Sequence, residues 1–344
     1  MIPLPSPFEV HDRLPMTLRQ REFVKHSREQ VQSIMQREDA RILIITGPCS
    51  IHNAESALAY AEQLAALSEK VKSSCYVLMR AYVEKPRTRT GWTGMVYDPH
   101  LDGSFDIESG LLETRKLFLK LTDLGIPIAT ELLHPLTYPY LSDVITWGCI
   151  GARTVTSQPH RQLASYASFP VGFKNSVDGN IDSAIDGILC SRKSHAFFGI
   201  NHEGMVAKLT SEGNPHTHIV LRGSTNGPNY DLASIRKVQA KLDALDLDCR
   251  LLVDCSHGNC QKDETRQKEV FFNTLENIAD GTVDVMGMML ESYIEKGNQP
   301  FLNTHLSPDR SITDPCIDWS ETENLLLWAH NRLQKLSTSC QIPS

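Results

Sequence analysis

Several features that would place the chain in a specialised class of protein are missing from its 344 residues. The longest apolar runs, such as residues 42–45, are far shorter than a membrane span. Basic residues do not predominate either, because 34 Lys and Arg stand against 41 Asp and Glu. We therefore expect no membrane anchoring and no nucleic-acid partner. With 41% hydrophobic residues, the chain can instead bury a sizeable core.

Two further absences concern the cysteines and the N-terminus. The nine cysteines are scattered and include no CxxC pair, which argues against a disulfide framework. The first fifteen residues lack the basic start and apolar core of an export signal. These observations predict a cytoplasmic protein with reduced thiols.

Eight short apolar runs predict buried β-strands. Most of them show no polar alternation, which is typical of parallel strands that are covered on both faces. The runs are residues 42–46, 75–79, 126–130, 149–152, 171–173, 218–221, 251–253 and 283–289.

Helical patterns separate these strands. In residues 54–67, Ala and Leu recur at three- and four-residue steps behind Asn53, a residue type that caps helix N-termini. Comparable patterns occupy residues 107–123, 135–146, 159–168, 180–190, 230–245, 263–279 and 320–336. Strand and helix alternating through eight strands predict an α/β fold of the TIM (β/α)8 barrel class. A doubly wound sheet is less consistent, since no GxGxxG or P-loop sequence is present.

The segment before the first strand adds a further amphipathic pattern at residues 17–37. No repeat, low-complexity tract or Pro/Gly linker divides the rest of the chain. We therefore expect a helical N-terminal extension at residues 1–40 and a single barrel domain at residues 41–344.

Basic residues follow several of the predicted strands, at the barrel end where TIM-barrel enzymes place their chemistry. They are Arg80, Lys85, Arg87, Arg153, Lys174 and Arg222. Any one of them is more simply explained as a solvated surface charge. If all six cations lie at this end of the barrel, its mouth, they would repel one another unless anions bind there. This predicts a substrate with phosphate and carboxylate groups.

A second group comprises Cys49, His257 and Glu291, at the ends of strands that become neighbours when the barrel closes. Thiolate, imidazole and carboxylate ligands suit Mn, Fe, Co or Zn. Position alone leaves the alternative open that each residue has an ordinary structural role.

Ordered sequence blocks resemble the type I 3-deoxy-D-arabino-heptulosonate-7-phosphate (DAHP) synthases of the microbial, feedback-regulated subgroup. The blocks span nearly the whole chain and include residues 47–52, 84–88, 151–154, 170–175, 254–259 and 311–314. The resemblance implies a TIM barrel that condenses phosphoenolpyruvate (PEP) with erythrose 4-phosphate and releases phosphate. This reaction is the first step of the shikimate pathway to chorismate and the aromatic amino acids.

The resemblance also implies residue roles. A divalent metal, which is Mn, Fe, Co or Zn, would be held by Cys49, His257, Glu291 and Asp314. PEP would contact Arg80, Lys85, Arg153, Lys174 and Arg222, while Arg87, Thr88 and Asp314 would contact erythrose 4-phosphate. Lys85, or water on the metal, would protonate the nascent alkoxide, and Glu131 would orient the attacking water.

Regulation by an aromatic amino acid is a further expectation from the resemblance. Gly199, with Phe197 and Ser168 nearby in the site, would favour tyrosine, because a missing hydroxymethyl group leaves room for a phenol. An unregulated enzyme remains an alternative, since the segment before Cys49 is shorter than in well-regulated members.

Other functions remain open from the sequence. Lys174 could instead form a Schiff base in a metal-independent aldolase, or the chain could act on another aldose phosphate. A non-catalytic sensor of aromatic amino acids is a third alternative. The resemblance further implies a homodimer or homotetramer.

Overall fold

The computed structural model describes residues 2–301 and 305–339, so that Cys340 lies outside the described residues. Within them the chain forms ten strands. They are β1 (Ile42–Gly47), β2 (Cys75–Arg80), β3 (Ile128–Glu131), β4 (Trp147–Ile150), β5 (Val171–Lys174), β6 (His195–Ile200), β7 (Val206–Ser211), β8 (Thr217–Leu221), β9 (Leu251–Asp254) and β10 (Val285–Glu291).

The α-helices of the described residues lie before, between and after these strands. They are α1 (Pro7–Arg13), α2 (Leu18–Met35), α3 (Ala54–Val71), α4 (Ile107–Asp123), α5 (Tyr138–Leu141), α6 (Gln158–Tyr166), α7 (Asp182–Ser191), α8 (Leu232–Asp243), α9 (Gln267–Ala279) and α10 (Trp319–Ser339).

Eight parallel strands close into a barrel in the order β1, β2, β3, β4, β5, β8, β9, β10, with β10 pairing back onto β1. The predicted TIM barrel and all eight predicted strands are therefore confirmed, with boundary shifts of a few residues. Successive side chains in β1 alternate between two clusters, as a pleated strand requires. Ile42 and Ile44 pack in the larger outer cluster, whereas Leu43 and Ile45 point into the barrel.

The N-terminal extension packs against both the barrel and its helices. Val31 and Ile34 of α2 are fully buried in the same cluster as the interior barrel residues. Side chains of the main domain also hold the main chain of the extension, since Tyr140 Oη donates to Pro5 O at 2.8 Å. The predicted helix at residues 17–37 is confirmed, and α1 is an additional short helix that starts with a capping box at Ser6 and Glu9.

Two features differ from the sequence prediction. The helix predicted at residues 135–146 is reduced to the four residues of α5, because turns occupy the rest of this segment. An antiparallel hairpin of β6 and β7 is inserted between α7 and β8. It was not predicted, since its exposed strands alternate half-buried and exposed residues and do not form a continuous apolar run.

Candidate active site

A cavity of about 880 Å³ opens at the carboxyl ends of the barrel strands. Eight Lys and Arg side chains line it, against the two carboxylates Glu131 and Asp314. All six cations that the sequence analysis placed in the mouth are among them: Arg80, Lys85, Arg87, Arg153, Lys174 and Arg222. The excess of positive charge makes this cavity a site for an anionic ligand.

The cations are arranged by depth. Arg80, Lys85, Lys174 and Arg222 are all buried, which makes them the floor of the cavity. Another group forms an exposed rim: Arg87, Thr88, Arg89 and Arg153. Within the rim, Arg153 Nε donates to Thr88 Oγ1 at 3.2 Å. The site thus offers one enclosed and one solvent-facing cluster of anion-binding groups.

Cys49, Glu291 and Asp314 come together beside this floor. Their ligand atoms all lie within 4.8 Å of one another. The pairing of β1 with β10 sets Gly47 opposite Glu291, which brings Cys49 and Glu291 into the same corner. A Cβ on Gly47 would lie 2.3 Å from Arg80 O, so only glycine permits this close approach.

Asp314 belongs to a loop that reaches this corner through hydrogen bonds. Ser50 Oγ lies 2.7 Å from Thr313 Oγ1, and Cys49 N donates to Cys316 Sγ at 3.4 Å. These contacts connect positions more than 260 residues apart. The donor set of a thiol and two carboxylates fits a borderline divalent cation.

His257, the fourth predicted ligand, lies next to this trio. Its Nε2 is 3.5 Å from Glu291 Oε1, and its Nδ1 is 2.9 Å from Asp254 Oδ2. Its φ of 56° is in the left-handed region, which is unusual for a residue other than glycine and is found at functional sites. The structure therefore brings three of the four predicted ligands together, and the fourth, His257, approaches them through Glu291 without joining the group whose ligand atoms all lie within 4.8 Å.

Two titratable groups of this corner, Cys49 and Lys85, have shifted pKa values. Burial, with the charge of Glu291, raises the pKa of the Cys49 thiol. Lys85 Nζ lies 2.7 Å from Cys49 Sγ; burial would lower the pKa of this lysine, but Cys49, Glu291 and Asp314 together raise it. A divalent cation would stabilise the thiolate directly, since metal binding releases the proton of a cysteine ligand.

The guanidinium of Arg80 connects the metal corner to the anion site. Arg80 Nη2 donates to Glu291 Oε1 at 2.9 Å and to Cys49 O at 3.2 Å. The guanidinium carbon lies 3.6 Å from the centre of the Tyr82 ring, a cation–π contact. With its plane fixed in this way, Arg80 is preorganised for a planar anionic group.

Asp254 is a site residue that the sequence analysis did not assign. It is fully buried, and Lys174 Nζ donates to its Oδ2 at 2.7 Å. Burial would raise the pKa of Asp254, but His257 and Lys174 outweigh this effect and hold the pKa well below its usual range. Its position in the sequence could have identified Asp254 as a site residue, because it is the last residue of a barrel strand, as Glu291 is.

Glu84 also went unassigned, although it precedes Lys85. Tyr97 Oη donates to its Oε1 at 3.0 Å and Thr137 Oγ1 donates to its Oε2 at 2.9 Å. Burial raises the pKa of Glu84 to about 7. Glu131, in contrast, lies at the end of β3 and lines the cavity as expected.

The three residues predicted for an effector lie away from this mouth. Phe197 and Gly199 are on β6, where the Phe197 ring lies 5.8 Å from that of Tyr166. Ser168 lines a separate cavity beside α2 and accepts a hydrogen bond from Arg28 Nη1 at 3.1 Å. A Cβ on Gly199 would lie 2.4 Å from Leu209 Cδ1, so a side chain of this protein borders the space left by the missing hydroxymethyl group.

Two other predictions concern membranes and cysteines. None of the helices in residues 2–301 and 305–339 is long and apolar enough to cross a membrane. The eight cysteines in the described part of the chain are all unpaired, as the sequence analysis predicted.

Comparison with known proteins identifies the family of this chain. The model of the DAHP synthetase I family matches residues 19–327. The chain is 43% identical to the Tyr-sensitive phospho-2-dehydro-3-deoxyheptonate aldolase of Escherichia coli over 332 residues, which are 96% of this chain and 93% of the relative. It is 42% identical to the Trp-sensitive aldolase of Salmonella typhimurium over 324 residues, covering 94% and 93%.

A solved structure of a phospho-2-dehydro-3-deoxyheptonate aldolase from Francisella tularensis superposes with a TM-score of 0.95 at 37% identity. The superposition covers 97% of this chain and 98% of the other. The chain therefore belongs to the DAHP synthetase I family.

Proposed function

We propose that the chain is a DAHP synthase, which condenses PEP with erythrose 4-phosphate to give DAHP and inorganic phosphate. The observation that carries this proposal is the Cys49, Glu291 and Asp314 cluster beside a floor of buried cations. Family membership over residues 19–327 supports the same reaction.

The two anion-binding clusters fit two substrates that bind at different depths in the cavity. We assign PEP to the floor, where Arg80, Lys85, Lys174 and Arg222 would neutralise its phosphate and carboxylate, with Arg153 contacting it from the rim. The phosphate of erythrose 4-phosphate would bind Arg87 and Thr88 at the rim. Asp314, beside both clusters, would contact this sugar as well.

The chemistry requires one carbon–carbon bond and one carbon–oxygen bond to form, and one carbon–oxygen bond to break. The methylene carbon of PEP attacks the aldehyde carbon of erythrose 4-phosphate, water adds to the cationic carbon of PEP, and phosphate leaves. Lys85, whose Nζ lies 2.7 Å from Cys49 Sγ, would donate a proton to the developing alkoxide. Glu131, on the wall of the cavity, would orient the water.

Cys49, His257, Glu291 and Asp314 would hold the divalent cation, which is Mn, Fe, Co or Zn. When bound, it supplies Lewis acidity toward the aldehyde oxygen. The contacts of Lys174 do not favour the Schiff-base alternative, because its amine forms a buried ion pair with Asp254 that it would have to leave in order to attack a carbonyl carbon.

Regulation and organisation extend the proposal. We assign effector binding to the region of Gly199, Phe197 and Ser168, with tyrosine as the first candidate on the ground of Gly199; relatives named Tyr-sensitive and Trp-sensitive are 43% and 42% identical. Residues 1–40 would form an extension of one catalytic domain at residues 41–344, acting in a cytoplasmic homodimer or homotetramer.

The test is the initial rate of PEP consumption with erythrose 4-phosphate on metal-stripped enzyme, with and without added Mn²⁺. We expect turnover that returns with Mn²⁺ and releases one phosphate per PEP. Other aldose phosphates serve as alternative acceptors in the same assay, and added tyrosine tests inhibition. A lack of turnover with every divalent metal and every acceptor would contradict the proposal and favour a non-catalytic sensor.

A further inference from the structure

Asp254 contacts both halves of the candidate active site. Its Oδ2 accepts a hydrogen bond from Lys174 Nζ at 2.7 Å and lies 2.9 Å from His257 Nδ1. Its Oδ1 accepts from Ser256 N at 3.0 Å and from Ser256 Oγ at 2.6 Å. Both oxygens of a fully buried carboxylate are thus used, and one of them is shared by an imidazole and an ammonium group.

The contact with His257 determines which ring nitrogen is available to a cation. Nδ1 faces Asp254 Oδ2 at 2.9 Å and Ser256 Oγ at 2.7 Å, and this hydroxyl itself donates to Asp254 Oδ1. Nε2, which lies 3.5 Å from Glu291 Oε1, is therefore the nitrogen directed at the metal corner. A carboxylate that accepts the other N–H of a metal-binding histidine fixes the tautomer and the ring orientation, and it makes the ligand more basic.

The contact with Lys174 has a second consequence. An ammonium group has three N–H donors, of which Asp254 accepts one. The others remain for an anionic substrate in the cavity that Lys174 lines. Asp254 therefore also fixes the position of one of the buried cations assigned to PEP.

We propose that Asp254 is a positioning residue shared by the two sites: it orients His257 toward the divalent cation and Lys174 toward PEP, and it couples their binding. The proposal rests on the proposed function, from which both ligands are taken.

The coupling has a physical origin in the shared oxygen Oδ2. A cation bound at Nε2 polarises the His257 ring and makes its Nδ1–H a stronger donor to Asp254. The carboxylate then attracts the Lys174 ammonium less strongly, which leaves more of its charge to an incoming anion. Coupling of this kind is reciprocal, so PEP must raise the affinity for the cation by the same factor.

The test is isothermal titration calorimetry on the metal-stripped full-length protein. Mn²⁺ is titrated into the protein in the absence and in the presence of PEP, and PEP is titrated in the absence and in the presence of Mn²⁺. The wild-type protein should bind each ligand more tightly when the other is present. Asp254→Asn should raise the dissociation constant for Mn²⁺ by about 10–100-fold, weaken PEP binding severalfold, and reduce the coupling factor toward one.

Asn259→Ala is the matched control. Asn259 is also fully buried, and its Nδ2 donates to Asp254 O and Leu221 O, so it supports the same loop through the main chain. A purely structural effect would lower the melting temperature of both variants and leave the coupling factor of both unchanged. We expect loss of coupling in the Asp254 variant only.

The outcomes separate this inference from the proposed function. A wild-type protein that binds neither Mn²⁺ nor PEP would contradict the function itself. A wild-type protein that binds both, with an Asp254→Asn variant whose two dissociation constants stay within about twofold, would overturn the role of Asp254. If Asp254→Asn does not fold, the wild-type titrations still decide, because a coupling factor of one between Mn²⁺ and PEP would overturn the proposal.

Discussion

The mouth of the barrel and the β6–β7 hairpin are two regions of this chain built on opposite principles. In the mouth, charged groups such as Arg80 and Glu291 are almost completely buried and are paired with one another. On the hairpin, apolar residues such as Phe198 and Val206 are 90% and 80% exposed. Buried charges must be matched by partners, whereas single exposed apolar groups need none.

This difference predicts which substitutions change stability and ligand binding. A mouth residue has several partners that are left unsatisfied when it is replaced, so its loss changes both stability and ligand binding. A residue on the outer face of the hairpin has few partners to lose. Four predictions, from the largest expected effect to the smallest, test this contrast between buried charged groups and exposed apolar groups.

Cys49→Ala should abolish most of the metal-dependent activity, because it removes a ligand from the corner formed with Glu291 and Asp314. The loss of Mn²⁺ affinity should exceed the roughly 100-fold typical of residues that only support a ligand. Cys75→Ala is the control, since Cys75 is equally buried but begins β2 at the opposite end of the barrel. Equal activity of the two variants under metal-limited conditions would argue against the metal site.

Arg80→Met should destabilise the protein by about 3–5 kcal/mol, because Glu291 would lose its buried partner. PEP binding should weaken as well. Arg115→Met is the control: Arg115 is as buried as Arg80 and pairs with Asp143 at 2.8 Å, but it lies on α4. Chemical denaturation and the KM for PEP separate the two variants, since only the Arg80 variant should change both.

Glu84→Gln should alter how stability depends on pH. Burial raises the pKa of Glu84 from 4.5 to about 7, so between these values the folded protein binds a proton that the unfolded chain has released. This group therefore makes the folded state less stable as the pH rises from about 4.5 to 7. The free energy of unfolding of the variant, measured relative to the wild type, should therefore increase by on the order of 2 kcal/mol from pH 5 to pH 7.5. A pH-independent difference in the free energy of unfolding would contradict this expectation.

Phe198→Ser should change the free energy of unfolding by less than about 0.5 kcal/mol, because its ring is exposed on the outer face of the hairpin. Phe197→Ser, on the inner face against Tyr166, should cost about 1–2 kcal/mol. Turnover without effector should be unchanged in both. A larger effect of Phe198→Ser would mean that the outer face is covered in solution.

Much of this architecture could be predicted along the chain. The continuous apolar runs identified all eight barrel strands, and the residues after them included Cys49, Glu291 and the cations of the mouth. The hairpin was missed because its alternation spans only six residues in each strand, of which two are exposed in β6 and three in β7. The helix at residues 135–146 was overestimated because most of that segment forms turns.

The sequence by itself determined the strands, the helices between them and the end of the barrel that carries the charge, since these follow from local periodicity and from the fixed direction of parallel strands. Only the tertiary structure decided which charges meet. Asp254 shares one oxygen between Lys174 and His257, and Asp314 reaches Cys49 through a loop more than 260 positions away. Such contacts depend on long-range strand pairing that no local pattern encodes: β5, β8 and β9 bring Lys174 near Asp254, and β10 on β1 brings Glu291 near Cys49.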